Sequence, residues 1–478
     1  MKSPNLSGLI ALLVIISSFL NETAAQTYAQ GLDFNDSSYA LVPKKARLTR
    51  ALDTVPSRVS LKDYAPYPKS QGEYLTCTAW ACAYCARTMV DAIKNNWTNR
   101  DSITAKAYSP AFLFRLINPN NDLCSVPTDM EAALRMMKVK GCIYYTDLPS
   151  LCIPAISSDQ LGKATNAKLK DFARLFDVNS SNNIKIQAVK KSLSEKKPVV
   201  IGMSCPPSFQ HAYHDWQPLE DPKNNFGGHA MCVIGYDDSQ FGGAFEIQNS
   251  WGENWGFEGY TWIRYNDFAS FVKYGYEFIT LPETKTEIAD LSGSIKLVLS
   301  TGHEMPTGLH LSTRGLKVVS AGNTAEPLTV YQTAEAYSSG TRFNIYISNN
   351  EPAYVYAFSL GIDNEITKIF PPGDGISAAL TYKKNDVVFP GENQYIEFDN
   401  TPGKDYVCVL YSKNELDINS IIARVTAQNG SFNEKVYKAV GDRMVDPANI
   451  KFTNDKIAFQ GISKGKDIVA MMIELDHK

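Results

Sequence analysis

The chain has 478 residues, with 47 Lys and Arg against 50 Asp and Glu and a formal net charge of −3. That length suggests two or three domains with ample apolar core, and a near-neutral balance without an extended basic run argues against a nucleic-acid partner. Nine cysteines leave at least one thiol free however they pair, which suits a chain that uses one as a nucleophile.

Met1-Lys2, an apolar stretch from Leu9 to Leu20, and Thr23-Ala24-Ala25-Gln26 read as a secretory signal, residues 1–25, with cleavage after Ala25. Such a stretch is too short to span a bilayer, and no later segment is expected to cross one. No Cys follows the cleavage point, so a lipid anchor is not expected there. The expected destination is the periplasm, the cell surface or the medium. Residues 26–55 are polar and irregular, end in the patch Lys44-Lys-Ala-Arg-Leu-Thr-Arg50, and read as an N-terminal leader.

Residues 56–283 change character midway. The first half predicts helices over 77–94 and 128–140, with Trp80, Ala81, Tyr84 and Thr88 at helical spacing. The second half is rich in strands, from Lys197-Pro-Val-Val-Ile-Gly to Phe278-Ile-Thr-Leu. Residues 284–478 alternate in the manner of strands, as in Phe343-Asn-Ile-Tyr-Ile347, Tyr354-Val-Tyr-Ala-Phe and Tyr406-Val-Cys-Val-Leu. Turns at Pro371-Pro-Gly-Asp-Gly and Thr401-Pro-Gly punctuate them, so an all-β sandwich with a helix-poor tail is expected.

Four residues carry the chemistry. Cys77 opens the first predicted helix, where a helix N-terminus lowers a thiol pKa. His229 follows two glycines and begins the apolar run Ala230-Met-Cys-Val-Ile-Gly-Tyr, a strand that would hold a base rigidly. Asn249 lies in Gln-Asn-Ser-Trp-Gly, with Trp251 placed to keep water from an Asn–His hydrogen bond. Gln71 precedes Cys77 by six residues and would donate to an oxyanion together with the Cys77 N–H. Nucleophile, base and orienting amide in that order are one recurring route to acyl transfer.

Other candidates read more plainly. Cys82 and Cys85 share the Cys77 helix without a second ligand pair, so they predict packing rather than zinc, and no metal or cofactor is expected. His211 and His214, in Phe-Gln-His-Ala-Tyr-His-Asp-Trp, predict a loop over the cleft.

On these residues the chain resembles the papain family of cysteine peptidases. The six-residue Gln–Cys spacing, the 152 residues between Cys77 and His229 and the Asn-Ser-Trp-Gly motif carry the resemblance. Tyr108-Ser-Pro-Ala-Phe-Leu-Phe and Gly259-Tyr260-Thr-Trp262-Ile support it. It implies an α+β, papain-like, two-lobed peptidase, with a helical lobe and a β-barrel lobe, ahead of the sandwich. It also implies catalytic roles for Cys77, His229, Asn249 and Gln71, and a peptide or protein substrate in the cleft between the lobes.

The chain departs from the family in lacking a Cys three before the nucleophile and in having Thr78 after it. Both departures suggest a divergent, bacterial branch. One bridge among Cys124, Cys142 and Cys152 is also implied. Residues from about 327 to 425 resemble an uncharacterised bacterial domain attached to caspase-like and kinase-like proteins. Its tyrosines suit either sandwich packing or binding of protein or glycan. The competing reading is a papain-like domain that is inactive, or that transfers acyl groups to amines, in a cell-surface binding protein.

Overall fold

The computed structural model describes residues 27–46, 55–120, 123–280, 289–309, 328–361, 365–381 and 385–478. The expected signal (1–25), the rest of the basic patch after Ala46, and the boundary at 283–284 lie outside the described residues.

The first lobe is built on a rod at 77–94, in which α-helical Cys77–Ala79 and Thr88–Lys94 flank a π-helical stretch, Trp80–Arg87. Every residue from Thr76 to Val90 is buried. Ala79, Ala81, Ala83 and Ala86 keep the rod slim enough to be enclosed on all sides. The segment Pro110–Ile117 starts cleanly because Pro110 occupies the first turn and the Ser109 hydroxyl accepts from the Phe112 N–H. Asp129 does the same for Met130–Val139, accepting from the Ala132 N–H at 3.1 Å.

The second lobe is an eight-stranded sheet. We number its strands β1 (Arg58–Ser60), β2 (Asp171–Arg174), β3 (Val199–Ser204), β4 (Asp215–Trp216), β5 (Gly228–Asp237), β6 (Ala244–Gln248), β7 (Tyr260–Arg264) and β8 (Val272–Ile279). Pairing runs β2-β8-β3-β5-β6-β7-β4, with β1 against β5. β5 is buried from Gly228 to Tyr236 because the rod packs on it and on β3. An uninterrupted apolar run, rather than an alternating one, is what a strand covered on both faces requires.

Beyond residue 289 the chain forms two facing sheets. One centres on Gly403–Ser412, between Ala353–Leu360 and Ile468–His477. The other centres on Leu291–Leu299, between Arg342–Asn349 and Ala458–Gly461. Their inner faces share one apolar core. Two helices that the strand-like alternation does not announce lie here, Ile418–Ala427 and Phe432–Val440. They cover the outer face of the first sheet, as Ile421, Val425 and Val436 pack with Tyr356, Phe358 and Leu410.

That outer core continues into the first unit, where Ala173 of β2 and Ile279 of β8 belong to it. The Tyr354 hydroxyl donates to Asp171 at 2.9 Å, and Lys138 bridges Asp171 and Glu415. Among the described residues no helix is long and apolar enough to cross a membrane.

Residues 27–46, expected to be irregular, are instead bound into the fold. Asp36–Leu41 is a short helix capped by Asn35. Its Tyr39 is 1% exposed, stacks on Tyr274 at 4.3 Å and donates to the Phe176 carbonyl at 2.7 Å. No local pattern announces this segment, because its partners lie on distant strands.

Candidate active site

Cys77 begins the rod, where the first helical N–H groups have no partners inside the helix. Its Sγ accepts from the Ala230 N–H at 3.4 Å, which fastens the rod to β5. Burial pushes the thiol up to about 11, outweighing nearby donors on Ala230, Thr78 and Gly31 that pull it down. Burial thus works against the lowering expected from the helix terminus alone.

His229, the second residue of β5, is fully buried, and its ring lies 4.4 Å from that of Trp251. Nε2 meets Asn249 Oδ1 at 2.7 Å, and the same oxygen accepts from the Ser250 N–H. An amide oxygen only accepts, so Nε2 carries the proton and Nδ1 keeps its lone pair. Among the described residues Nδ1 has no hydrogen-bond partner. Burial pulls the imidazole down to about 4, against the Asn249 bond that raises it.

Gln71 is also buried. Its backbone N–H donates to Ser250 O at 2.8 Å, its Nε2 to Tyr74 O at 2.7 Å, and its Oε1 accepts from Ser250 Oγ at 2.6 Å. One N–H of its amide is thereby fixed and the other is left over. Ser250 is the residue that sequence reasoning missed: it sits inside the quoted motif, yet it joins the Asn249 and Gln71 ends of the site.

Cys124 and Cys152 form the disulfide, and Cys142 is a buried thiol. The Leu75 N–H donates to Cys124 O at 2.9 Å, so the bridged loop braces the chain just before Cys77. Cys82 and Cys85 are packed in the core. The loop bearing His211 and His214 closes over Trp251 through Phe209, while His214 stacks on Phe257 at 4.3 Å.

The groove beside Cys77 holds the chain's own residues 28–34. Leu32 N–H donates to Gly228 O at 3.1 Å, Asp33 N–H to Thr128 O at 3.0 Å, and Thr128 N–H to Gly31 O at 2.9 Å. Thus one rail of the groove is the residue before His229, and the other is the residue before the Asp129 cap. Leu32 is 4% exposed, and a Cβ built on Gly202 would meet its Cδ2 at 2.8 Å. Tyr28 stacks on Trp251 at 5.0 Å, and Trp251 Nε1 donates to Ala29 O at 2.8 Å. At Gly31 the backbones touch: a Cβ there would lie 2.3 Å from Leu75 O.

A buried thiol at the start of the rod and a tautomer-fixed imidazole at the start of β5 are the kinds of group that a thiol hydrolase needs. Comparison with known proteins gives the class. Residues 130–275 match the papain family cysteine protease profile, which takes in His229 and Asn249 but begins after Gln71 and Cys77. The chain thus carries a papain-family cysteine peptidase domain, and residues 336–415 match a domain of unknown function.

An uncharacterized peptidase C1-like protein of Acanthamoeba polyphaga mimivirus is 27% identical over 225 residues. The match takes in 44% of this chain and 66% of that relative. Among solved structures, xylellain, a cysteine protease from Xylella fastidiosa, is similar over 55% of this chain and 99% of its own, at 21% identity and a TM-score of 0.42. The bromelain protease of Ananas comosus is similar over 47% and 100%, at 18% identity and a TM-score of 0.39.

Proposed function

We propose that the chain is an exported peptidase that cleaves peptide bonds through an acyl-enzyme on Cys77. The observation that carries this reading is the His229 Nε2–Asn249 Oδ1 bond of 2.7 Å, which leaves Nδ1 as the free base beside the rod that begins with Cys77. His229 Nδ1 takes the Sγ proton, and the thiolate attacks the scissile carbonyl carbon. The oxyanion is held by the spare Gln71 N–H and the Cys77 N–H. The imidazolium then protonates the leaving amine as the C–N bond breaks. Water, deprotonated by His229, releases the acid from the thioester.

Peptide as substrate class is supported by the groove itself. Thr128 and Gly228 already hydrogen-bond an extended backbone, the way sheet edges take up peptides. Export is supported by the Cys124–Cys152 bridge, since such bonds persist in oxidising compartments. With residues 28–34 in place the groove is full, so the folded chain is a latent form.

The test is hydrolysis of an unstructured peptide by a Gly31→Ala protein, in which the groove is opened, with and without Cys77→Ala. Turnover confined to the protein that keeps Cys77 is expected. Equal turnover in both would move the nucleophile elsewhere, with Cys82 and Cys85 next in line.

A further inference from the structure

Residues 43–46 are where the cleft-filling segment, the peptidase unit and the sandwich meet. On one side, Lys45 N–H donates to Arg174 O at 2.8 Å and Arg174 N–H donates to Pro43 O at 3.1 Å. On the other, Lys44 N–H donates to Gly375 O at 2.6 Å and Ser377 N–H donates to Lys44 O at 2.7 Å. Lys44 is therefore bridged in parallel to Arg174 of β2 and to Ile376 of the sandwich. Without it, β2 would be the open edge of the eight-stranded sheet.

Side chains lock the same few residues. Lys44 Nζ pairs with Asp177 at 2.6 Å, and Lys45 Nζ reaches the buried Glu277 at 2.7 Å and Glu195 at 3.2 Å. The next residue, Ala46, is 7% exposed and belongs to the inner core of the sandwich. Upstream, Arg174 Nε donates to Val42 O at 2.7 Å, and Tyr39 and Leu32 follow in a continuous run to the groove. One end of that run fills the groove and the other is held by sandwich residues 375–377.

We propose that the sandwich is the latch of the cleft-filling segment. While residues 375–377 pair with Lys44, the run from Tyr28 to Ala46 is pinned at both ends. When that contact is broken, the sandwich holds the run only through Ala46, and the run leaves the groove more often. The proposal rests on the reading that Cys77 is a nucleophile shielded by residues 28–34, and it adds the device that governs the shielding. It also gives the sandwich a role that requires no chemistry of its own: whatever moves the 371–377 loop changes access to Cys77.

The experiment measures the rate at which iodoacetamide alkylates Cys77 in the full chain, located by peptide mass spectrometry. Ser377→Pro removes the N–H that meets Lys44 O, and Ala46→Glu puts a charge into the sandwich core from the segment's side. Gly373→Ala, on the same loop with open space where its Cβ would go, is the control. Leu32→Asp opens the groove without touching the latch.

Alkylation is expected to rise about fivefold in Ser377→Pro, the factor for one backbone hydrogen bond, and further in Ala46→Glu, with Gly373→Ala unchanged. If Leu32→Asp reacts fast while folded Ser377→Pro and Ala46→Glu react at the wild-type rate, the segment shields Cys77 but the sandwich is not its latch. If Leu32→Asp reacts no faster than wild type, the shielding reading fails and the latch falls with it. Should Ser377→Pro lose its melting transition, Ala46→Glu alone decides.

Discussion

Gly31→Ala is the smallest change that separates the groove from its occupant. The added Cβ would stand 2.3 Å from Leu75 O and 2.4 Å from Leu75 C, both backbone atoms just ahead of the rod. No rotamer relieves that overlap, and Leu75 is itself tied to the disulfide loop through Cys124 O. The segment must lift. Lifting it forfeits the burial of Leu32, about 1.5–3 kcal/mol, and four backbone hydrogen bonds of about 0.5–1.5 kcal/mol each. Against this stands an overlap of more than 1 Å from ordinary contact between backbone groups, a strain of about 1–3 kcal/mol that offsets part of the holding energy, so the lifted state is sampled far more often. Alkylation of Cys77 by iodoacetamide, followed by mass spectrometry, should accelerate by up to roughly 10²-fold, a barrier change of about 3 kcal/mol. The melting temperature should fall by only a few degrees, because the peptidase core itself is untouched. A Gly31→Ala protein in which Cys77 reacts at the wild-type rate would refute the argument that residues 28–34 are what shields the thiol.

Three further outcomes follow from the same geometry. In the opened protein, Gln71→Ala should lower kcat by roughly 10²–10³ with little change in KM, as expected of an oxyanion donor, and Ser250→Ala should lower it less by freeing Gln71 Oε1. Acid should open the wild-type groove: the closed form holds His229 at about 4 against an ordinary value of 6.5, so it binds fewer protons between those values and loses stability as pH falls through that window. Asp129, raised by burial, acts in the opposite sense, so hydrogen exchange at the Leu32 and Asp33 amides, corrected for its intrinsic pH dependence and followed from pH 7 down to 4, should show the steeper gain in opening in Asp129→Asn than in wild type. A chain ending before residue 289 should melt at least roughly 5 °C lower than the full protein by calorimetry, since Ile279 and Ala173 lose the apolar cover of Tyr354, Tyr356 and Phe358; an unchanged melting temperature would mean that the shared core is only surface contact.

The residues of the candidate site were legible because they sit in strong local signals. Cys77 starts a helix, His229 starts a strand, and Asn249 lies in a motif whose Trp251 covers the ring as expected. What stayed hidden depends on contacts between distant segments. Leu32 pairs with Gly228, nearly two hundred residues away, and Lys44 with Ile376, more than three hundred away, through single bridges that leave no periodicity to read. The upward shift of the Cys77 thiol was hidden too: a helix terminus lowers a thiol pKa, but the burial that raises it depends on tertiary packing that no local pattern announces. The helices Ile418–Ala427 and Phe432–Val440 were overlooked although both carry capping residues, Asp417 and Ser431 with Glu434, because the surrounding alternation drew attention to strands.

The burial that completes this site also silences it. Gln71, Cys77, His229 and Asn249 are each at most 4% exposed, and the low dielectric that makes their hydrogen bonds strong keeps thiol and imidazole neutral. Burial pushes the thiol up to about 11 and pulls the imidazole down to about 4, so both shifts open a gap in favour of the uncharged pair, against the attraction between the two charges. That attraction recovers part of the gap, and water entering a vacated groove recovers more, by solvating the sulfur and the ring together. On the proposed reading, departure of residues 28–34 would do two things at once: admit a peptide to the groove and, by letting water in, ease the burial that holds the Cys77 thiol up, so that access and reactivity rise together.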